Sequence, residues 1–151
     1  TAVLETGLPI PLRLLVDTGR RVMYVASGNA SGVLEVDLAS YTVARRLELP
    51  AQWRAQALLL DATRGRLLVS CSHATPDGGG AIVTVDLAAF RPVGGSVPLQ
   101  CGAGEFDSSP ARDGQSSYVL PPASRHAYVP VRGCKCGSGR VLSHALWQLA
   151  W

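Results

Sequence analysis

The chain repeats itself, and that constrains its fold more than any other feature. The run Leu14-Leu15-Val16-Asp17, a Gly/Arg turn, and the second run Val22-Met23-Tyr24-Val25-Ala26-Ser27 return as Leu58-Leu59-Leu60-Asp61, a turn, and Arg66-Leu67-Leu68-Val69-Ser70-Cys71. Asp17 and Asp61 stand 44 residues apart. Further on, Gly32-Val33-Leu34-Glu35-Val36-Asp37-Leu38-Ala39-Ser40-Tyr41 matches Ala81-Ile82-Val83-Thr84-Val85-Asp86-Leu87-Ala88-Ala89-Phe90 at an offset of 49. The extra length falls in the loop from Thr75 to Gly80, where repeat architectures tolerate insertion.

Each full copy reads as four short strands: apolar, turn, apolar, loop, alternating, turn, and a last β-prone run at Val43–Leu49 or Val93–Leu99. Alternation is clearest where Leu34, Val36 and Leu38 share one face against Glu35 and Asp37. A weaker third copy begins at Tyr118–Val129 and resumes at Gly139-Arg140-Val141-Leu142, running through Trp147 towards Trp151. Its fourth strand is missing, so the chain reads as part of a longer polypeptide or of an assembly that partner chains complete. Ala51–Leu60 is the best candidate for helical spacing, yet its Leu58-Leu59-Leu60 end is better explained as the first strand of the second copy.

Four-strand units every 40 to 50 residues are the sequence sign of propeller blades. The expected fold is all-β, a partial β-propeller of four-stranded antiparallel blades at residues 11–50 and 56–100, with an incomplete blade at 115–151. A single blade cannot bury both faces and must stack on its neighbours. The wording of the copies, "Val-Met-Tyr-Val-Ala-Ser" and then "Gly-Val-Leu-Glu-Val-Asp-Leu-Ala-Ser", resembles the YVTN-type, WD40-like β-propeller repeat family. That resemblance covers residues 11–100 well and 115–147 poorly; it implies architecture and says almost nothing of function. No Trp-Asp dipeptide closes a copy, and Kelch glycine pairs are absent.

Thirteen Arg and a single Lys, Lys135, give a net charge of +3, but the cations are scattered. A nucleic-acid surface needs a dense basic stripe with interleaved aromatics, and none is present. No apolar run is long enough for a transmembrane helix.

Cys71, Cys101, Cys134 and Cys136 are candidates for two disulfides, with three possible pairings. Bonds from Cys71 and Cys101 to Cys134 and Cys136 would staple the second copy to the third. The rival reading is a zinc set from Cys71, His73, Cys134 and Cys136, although neither Cys71-Ser72-His73 nor Cys134-Lys135-Cys136 has the usual two-residue gap. Reduced core cysteines are the remaining alternative. Asn29-Ala30-Ser31 is a glycosylation sequon, and Asn29 is the sole Asn. With the paired-cysteine reading it points to an extracellular or cell-surface location.

No catalytic constellation emerges from His73, His126 and His144 or from the serines. Asp17, Asp37, Asp61 and Asp86 recur once per copy, which argues for turn chemistry over catalysis. The acidic stretch Glu105–Ser109 with Asp113 lacks ordered calcium-loop spacing. The expected function is structural and adhesive: an extracellular propeller segment, without cofactor, whose partners are further blades or other protein subunits. The alternatives are a propeller-type enzyme such as a lactonase-like hydrolase, and an intracellular scaffold.

Overall fold

The computed structural model describes residues 11–27, 31–75, 80–99, 126–135 and 141–150, the last two segments as backbone only. Every regular element among them is a strand. The first sheet holds β1 (Pro11–Asp17), β2 (Val22–Ser27), β3 (Gly32–Asp37) and β4 (Thr42–Glu48), antiparallel and in sequence order. The second holds β5 (Trp53–Asp61), β6 (Arg66–His73) and β7 (Gly80–Asp86), followed by β8 (Arg91–Pro92) and β9 (Val97–Leu99), both paired to β7. β10 (His126–Lys135) and β11 (Val141–Ala150) form an antiparallel pair of their own. The molecule is all-β and built of propeller blades; the sheets β1–β4 and β5–β9 are called blade 1 and blade 2 below.

The expected last run of the second copy, Val93–Leu99, is corrected in detail. It is split: Val93 still donates its N–H to the Thr84 carbonyl at 2.8 Å, and then Gly94 takes a φ of 71° and the Gly94–Ser96 stretch leaves the ladder between β8 and β9. Ala51–Leu60 gives no helix: β5 already starts at Trp53, and Ala55 and Ala57 are buried by its pairing with β6.

Register decides which side chains meet. Leu15, Tyr24, Glu35 and Arg45 lie in one cross-strand row of blade 1, while Leu14, Val25 and Leu34, with Val16, Met23, Val36 and Val43, occupy the opposite face. In blade 2 the rows Leu58–Val69–Val83 and Leu60–Leu67–Val85 turn towards blade 1. The core between the blades joins Val22, Tyr24, Ala26, Val33 and Leu47 of blade 1 to Leu67, Val69, Cys71, Val83, Val85 and Phe90 of blade 2. Leu15, Leu58 and Leu60 pack on its margin. Each such aliphatic or aromatic side chain contributes about 1.5–3 kcal/mol when fully buried, so the junction outweighs any turn.

The turns repeat as faithfully as the strands. In β1–β2 the Asp17 carboxylate accepts the Arg20 N–H at 3.1 Å, and in β5–β6 Asp61 accepts the Arg64 N–H at 3.2 Å. Each pairs with the same arginine's side chain, at 3.8 and 2.8 Å. Both turns close on a left-handed residue, Arg21 in the first and Gly65 in the second. The carbonyls of these two residues accept the N–H groups of Leu38 and Leu87, which ties each blade's two turns together. A short carboxylate that folds back on the turn N–H is why Asp recurs here.

A Cβ on Gly65 would meet nothing closer than the Arg20 guanidinium at 3.6 Å, so its cost is conformational. Gly65→Ala is expected to lower stability by about 1 kcal/mol, and Arg21→Gly at the matched position is not expected to lower it by more than a few tenths. Urea denaturation of both variants checks this.

Candidate functional site

The most heavily built polar feature among the described residues sits at the blade 1–blade 2 junction. Glu35, in the middle of β3, is 5% exposed. Arg45 reaches it from the neighbouring β4 with two bonds, Nε to Oε1 at 2.7 Å and Nη2 to Oε2 at 2.6 Å. A bidentate pair of this kind fixes the guanidinium plane. The guanidinium then donates across the junction, to the Leu87 carbonyl and the Ala88 carbonyl, both at 2.9 Å. Its Cζ lies 4.7 Å from the centroid of the Phe90 ring, within cation–π range. Phe90 in turn stacks on Tyr24, centroids 6.2 Å apart and planes 22° apart. Glu35, Arg45 and Tyr24 thus form a clamp on the β7–β8 turn.

The electrostatics follow from that packing. The Glu35 bonds raise the Arg45 pKa further above its ordinary value, against the opposing effect of burial. Burial raises the Tyr24 phenol, and the Glu35 charge adds to the rise. Arg20 stands near enough to oppose it, yet the Tyr24 hydroxyl has no hydrogen bond of normal geometry among the described residues.

Phe90 is held with a φ of 48°, a region that costs a bulky side chain about 1–2 kcal/mol. Its partner turn in blade 1, β3–β4, places Tyr41 at 55° in the same position. Each of these turns is capped by the matched aspartate. Asp37 accepts the N–H groups of Ala39 at 2.7 Å and Ser40 at 2.8 Å, together with the Ser40 hydroxyl; Asp86 accepts the Ala89 N–H at 2.8 Å. The Ser40 and Ala39 amides hold the Asp37 carboxyl below the usual carboxylate range, and the Ala89 amide does the same for Asp86.

The residues singled out from the sequence fall in different places. Cys71 lies in β6 as a free thiol, completely buried in the inter-blade core, where burial pushes its pKa up to about 12. It packs as a core residue here. His73 bonds Thr75 through Nδ1 at 2.8 Å and sets its ring edge-on to Trp53, 5.4 Å between centroids. Among the described residues no cluster of His, Cys, Asp and Glu is arranged to hold a metal ion, and no helix is long and apolar enough to cross a membrane. Cys134 is in β10, paired with Leu142, and His126 and His144 are in β10 and β11. Asn29, Cys101 and Cys136 lie outside the described residues, as does the Glu105–Asp113 stretch. Ser31, the third residue of the sequon, is half-buried and takes a hydrogen bond from the Arg54 guanidinium.

Sequence reading missed the clamp. Glu35 looked like the solvent side of an alternating strand, and Arg45 looked like one of several scattered cations. The signal was there in the mismatch between copies: Thr84 stands at the repeat position of Glu35 and Gly94 at that of Arg45, although the strands around them match.

No family model matches the chain, and no curated protein matches it. Solved structures do. Kuenenia stuttgartiensis hydrazine synthase is similar with a TM-score of 0.53 and 17% identity, over 91% of this chain and 37% of that one. A dihydro-heme d1 dehydrogenase, NirN, solved in complex with DHE, has a TM-score of 0.46 and 14% identity, over 89% and 27%. This chain therefore spans well under half the length of the structures it matches. The first likeness carries the fold: the chain is a stretch of β-propeller blades.

Three outcomes are expected. Phe90→Ala costs about 3–5 kcal/mol, since it empties an aromatic site in the core, whereas Arg45→Lys costs less than Arg45→Ala but still registers, because an ammonium cannot replace the bidentate fork; thermal melts order the three. Asp37 and Asp86 are more acidic folded than unfolded, so their contribution is complete above about pH 4 and lost as pH falls through their folded values. The Asp37→Asn, Asp86→Asn double variant should accordingly show a flatter loss of stability in acid than the parent. Cys71 should resist a thiol reagent at pH 8 in the folded chain and react fully in denaturant; recovery of Cys71 in a disulfide would contradict the buried free thiol.

Proposed function

We propose that the chain is a structural, adhesive segment of an extracellular β-propeller protein of the YVTN type, working through protein–protein contact. The observation that supports this best is the exposure of Leu14, Val16 and Tyr41, at 63, 49 and 60%. Large apolar side chains standing outside the core are what a contact surface offers. The polar residues with the strongest local bonding, Asp17, Asp61, Glu35 and Arg45, are spent on turns and on the junction. Their bonding fits a scaffold's load, where rigidity between blades matters more than a reactive group. The Asn29 sequon supports the extracellular half of the proposal.

Charged substitutions at exposed positions test the contact role without touching the core. Val16→Asp with Tyr41→Asp is expected to leave the melting midpoint of the isolated chain nearly unchanged and to weaken its retention in the native assembly about thirtyfold, the scale of losing one interface anchor. Unaltered retention would refute the adhesive role. For location, peptide N-glycosidase should lower the mass of the chain from its native source, and Asn29→Gln should abolish the shift; an unmodified Asn29 there would contradict an extracellular site.

A further inference from the structure

The third copy carries a charge imbalance that the first two do not. After Asp113 the sequence holds no Asp or Glu, yet Arg125, His126, Arg132, Lys135, Arg140 and His144 follow. The register of the β10–β11 pair gathers part of that charge. Arg132 stands directly opposite His144, and Cys134 stands opposite Leu142. Alternate residues of a strand share a face, so Arg132 and Cys134 lie on one face of the hairpin with His144 and Leu142. Cys134 is two positions from Arg132 along β10 and diagonal to His144 across the pair. In such a ladder directly opposed Cβ atoms are roughly 4.5–5.5 Å apart, and diagonal neighbours roughly 7–8 Å. Two basic groups directly opposite each other are unfavourable unless an anion shares their face. Neither strand contains a carboxylate to supply one, and β10 and β11 pair only with each other among the described residues. Tyr128 and Cys134 are the only side chains of the two strands able to become anionic, and a thiol ionises well before a phenol.

We propose that Cys134, with Arg132 and His144 at the neighbouring register positions, is a nucleophilic thiol that joins the chain covalently to a partner by exchange with an accessible disulfide. The thiolate is the attacking form, and flanking cations favour it. The Cys134 thiolate attacks one sulfur of the partner's disulfide. A new S–S bond forms as the old one breaks, and the departing thiolate takes up the proton that Cys134 gave up. One disulfide is consumed and one is made, so no further oxidant is required. Arg132 and His144 are positioning residues: they do not react, and they supply the charge that favours the thiolate. Lys135, next in sequence, adds to that charge. Cys71 is the contrast within the same chain, a thiol sealed in the inter-blade core. The proposal goes beyond the contact role above, because it names a covalent step and a partner chemistry.

The test uses the full chain, reduced and then freed of reductant, with the uncharged bis(2-hydroxyethyl) disulfide as probe. Acid quenching, tryptic digestion and mass spectrometry read each thiol, and cleavage after Arg132, Lys135 and Arg140 separates Cys134 from Cys136. At pH 6.5 Cys134 should form the mixed disulfide about threefold faster in the folded chain than in denaturant, since tenfold more thiolate is partly offset by its weaker nucleophilicity. At pH 9.5, where both forms are ionised, that order should reverse. Arg132→Gln and His144→Gln should each slow the reaction at pH 6.5 and move the rate–pH profile towards that of the denatured chain. Arg132→Lys, which keeps the charge, should retain most of the rate, and an unlabelled Cys71 reports that the blades of each variant are folded. Exchange no faster in the folded chain than in denaturant at pH 6.5 overturns the proposal, as does a profile that the Arg132→Gln, His144→Gln double variant leaves unmoved. Recovery of Cys134 in an internal disulfide before reduction overturns it too, and so does reactivity that appears only after a chelator has removed a metal ion. None of these outcomes bears on retention of the Val16→Asp, Tyr41→Asp variant, so failure here and failure of the contact role are told apart.

Discussion

A four-stranded sheet that is apolar on both faces cannot exist alone in water, and the structure depends on how that demand is met between blades 1 and 2. Apolar rows from both sheets supply most of the free energy, but rows of Val and Leu are poor at fixing angle and register. The Arg45 guanidinium supplies that precision. It is locked by Glu35 on its own blade and donates to two carbonyls of the next. A half-exposed arginine would contribute little in an isolated surface pair. Here its partners are a buried carboxylate and two backbone acceptors beneath an aromatic ring, so position, more than charge alone, sets its value.

Around that junction the two copies have diverged in an ordered way. The turns have kept their aspartates, their left-handed closing residue and the hydrogen bond between neighbouring turns. These are local requirements of chain geometry, and any blade must satisfy them. The clamp residues differ, because they answer to whatever lies alongside each blade. Arg21 and Gly65 show the same logic on a smaller scale, since the left-handed position is obligatory but the residue filling it is not.

This division also explains what the sequence revealed. Blade architecture was legible because matched apolar runs and aspartates recur at offsets of 44 and 49, the difference falling in one loop, and the β1–β4 ladder follows directly from them. Beneath that pattern, the burial of Glu35 was illegible: period-two alternation marks a face as polar, and cannot tell a face turned to water from one turned to another sheet. The burial of Cys71 was illegible too, as an even cysteine count says nothing of a thiol's surroundings, and its strand places it among Leu67, Val69 and Val85. The split of β8 from β9 was announced by Gly94 and Gly95, yet alternating Val and Pro around them read as one strand.

That split has a consequence for how the chain meets others. An outermost strand ordinarily presents a row of free amides on which foreign strands can grow, the route to aggregation. In blade 2 this rim is interrupted: Pro92 and Pro98 donate no amide, and the Gly94–Ser96 stretch departs from the ladder between them. In blade 1 the last strand instead carries Arg45, Arg46 and Glu48, whose charges discourage lateral growth. The last strands of the two blades are thus blunted against edgewise addition by different means.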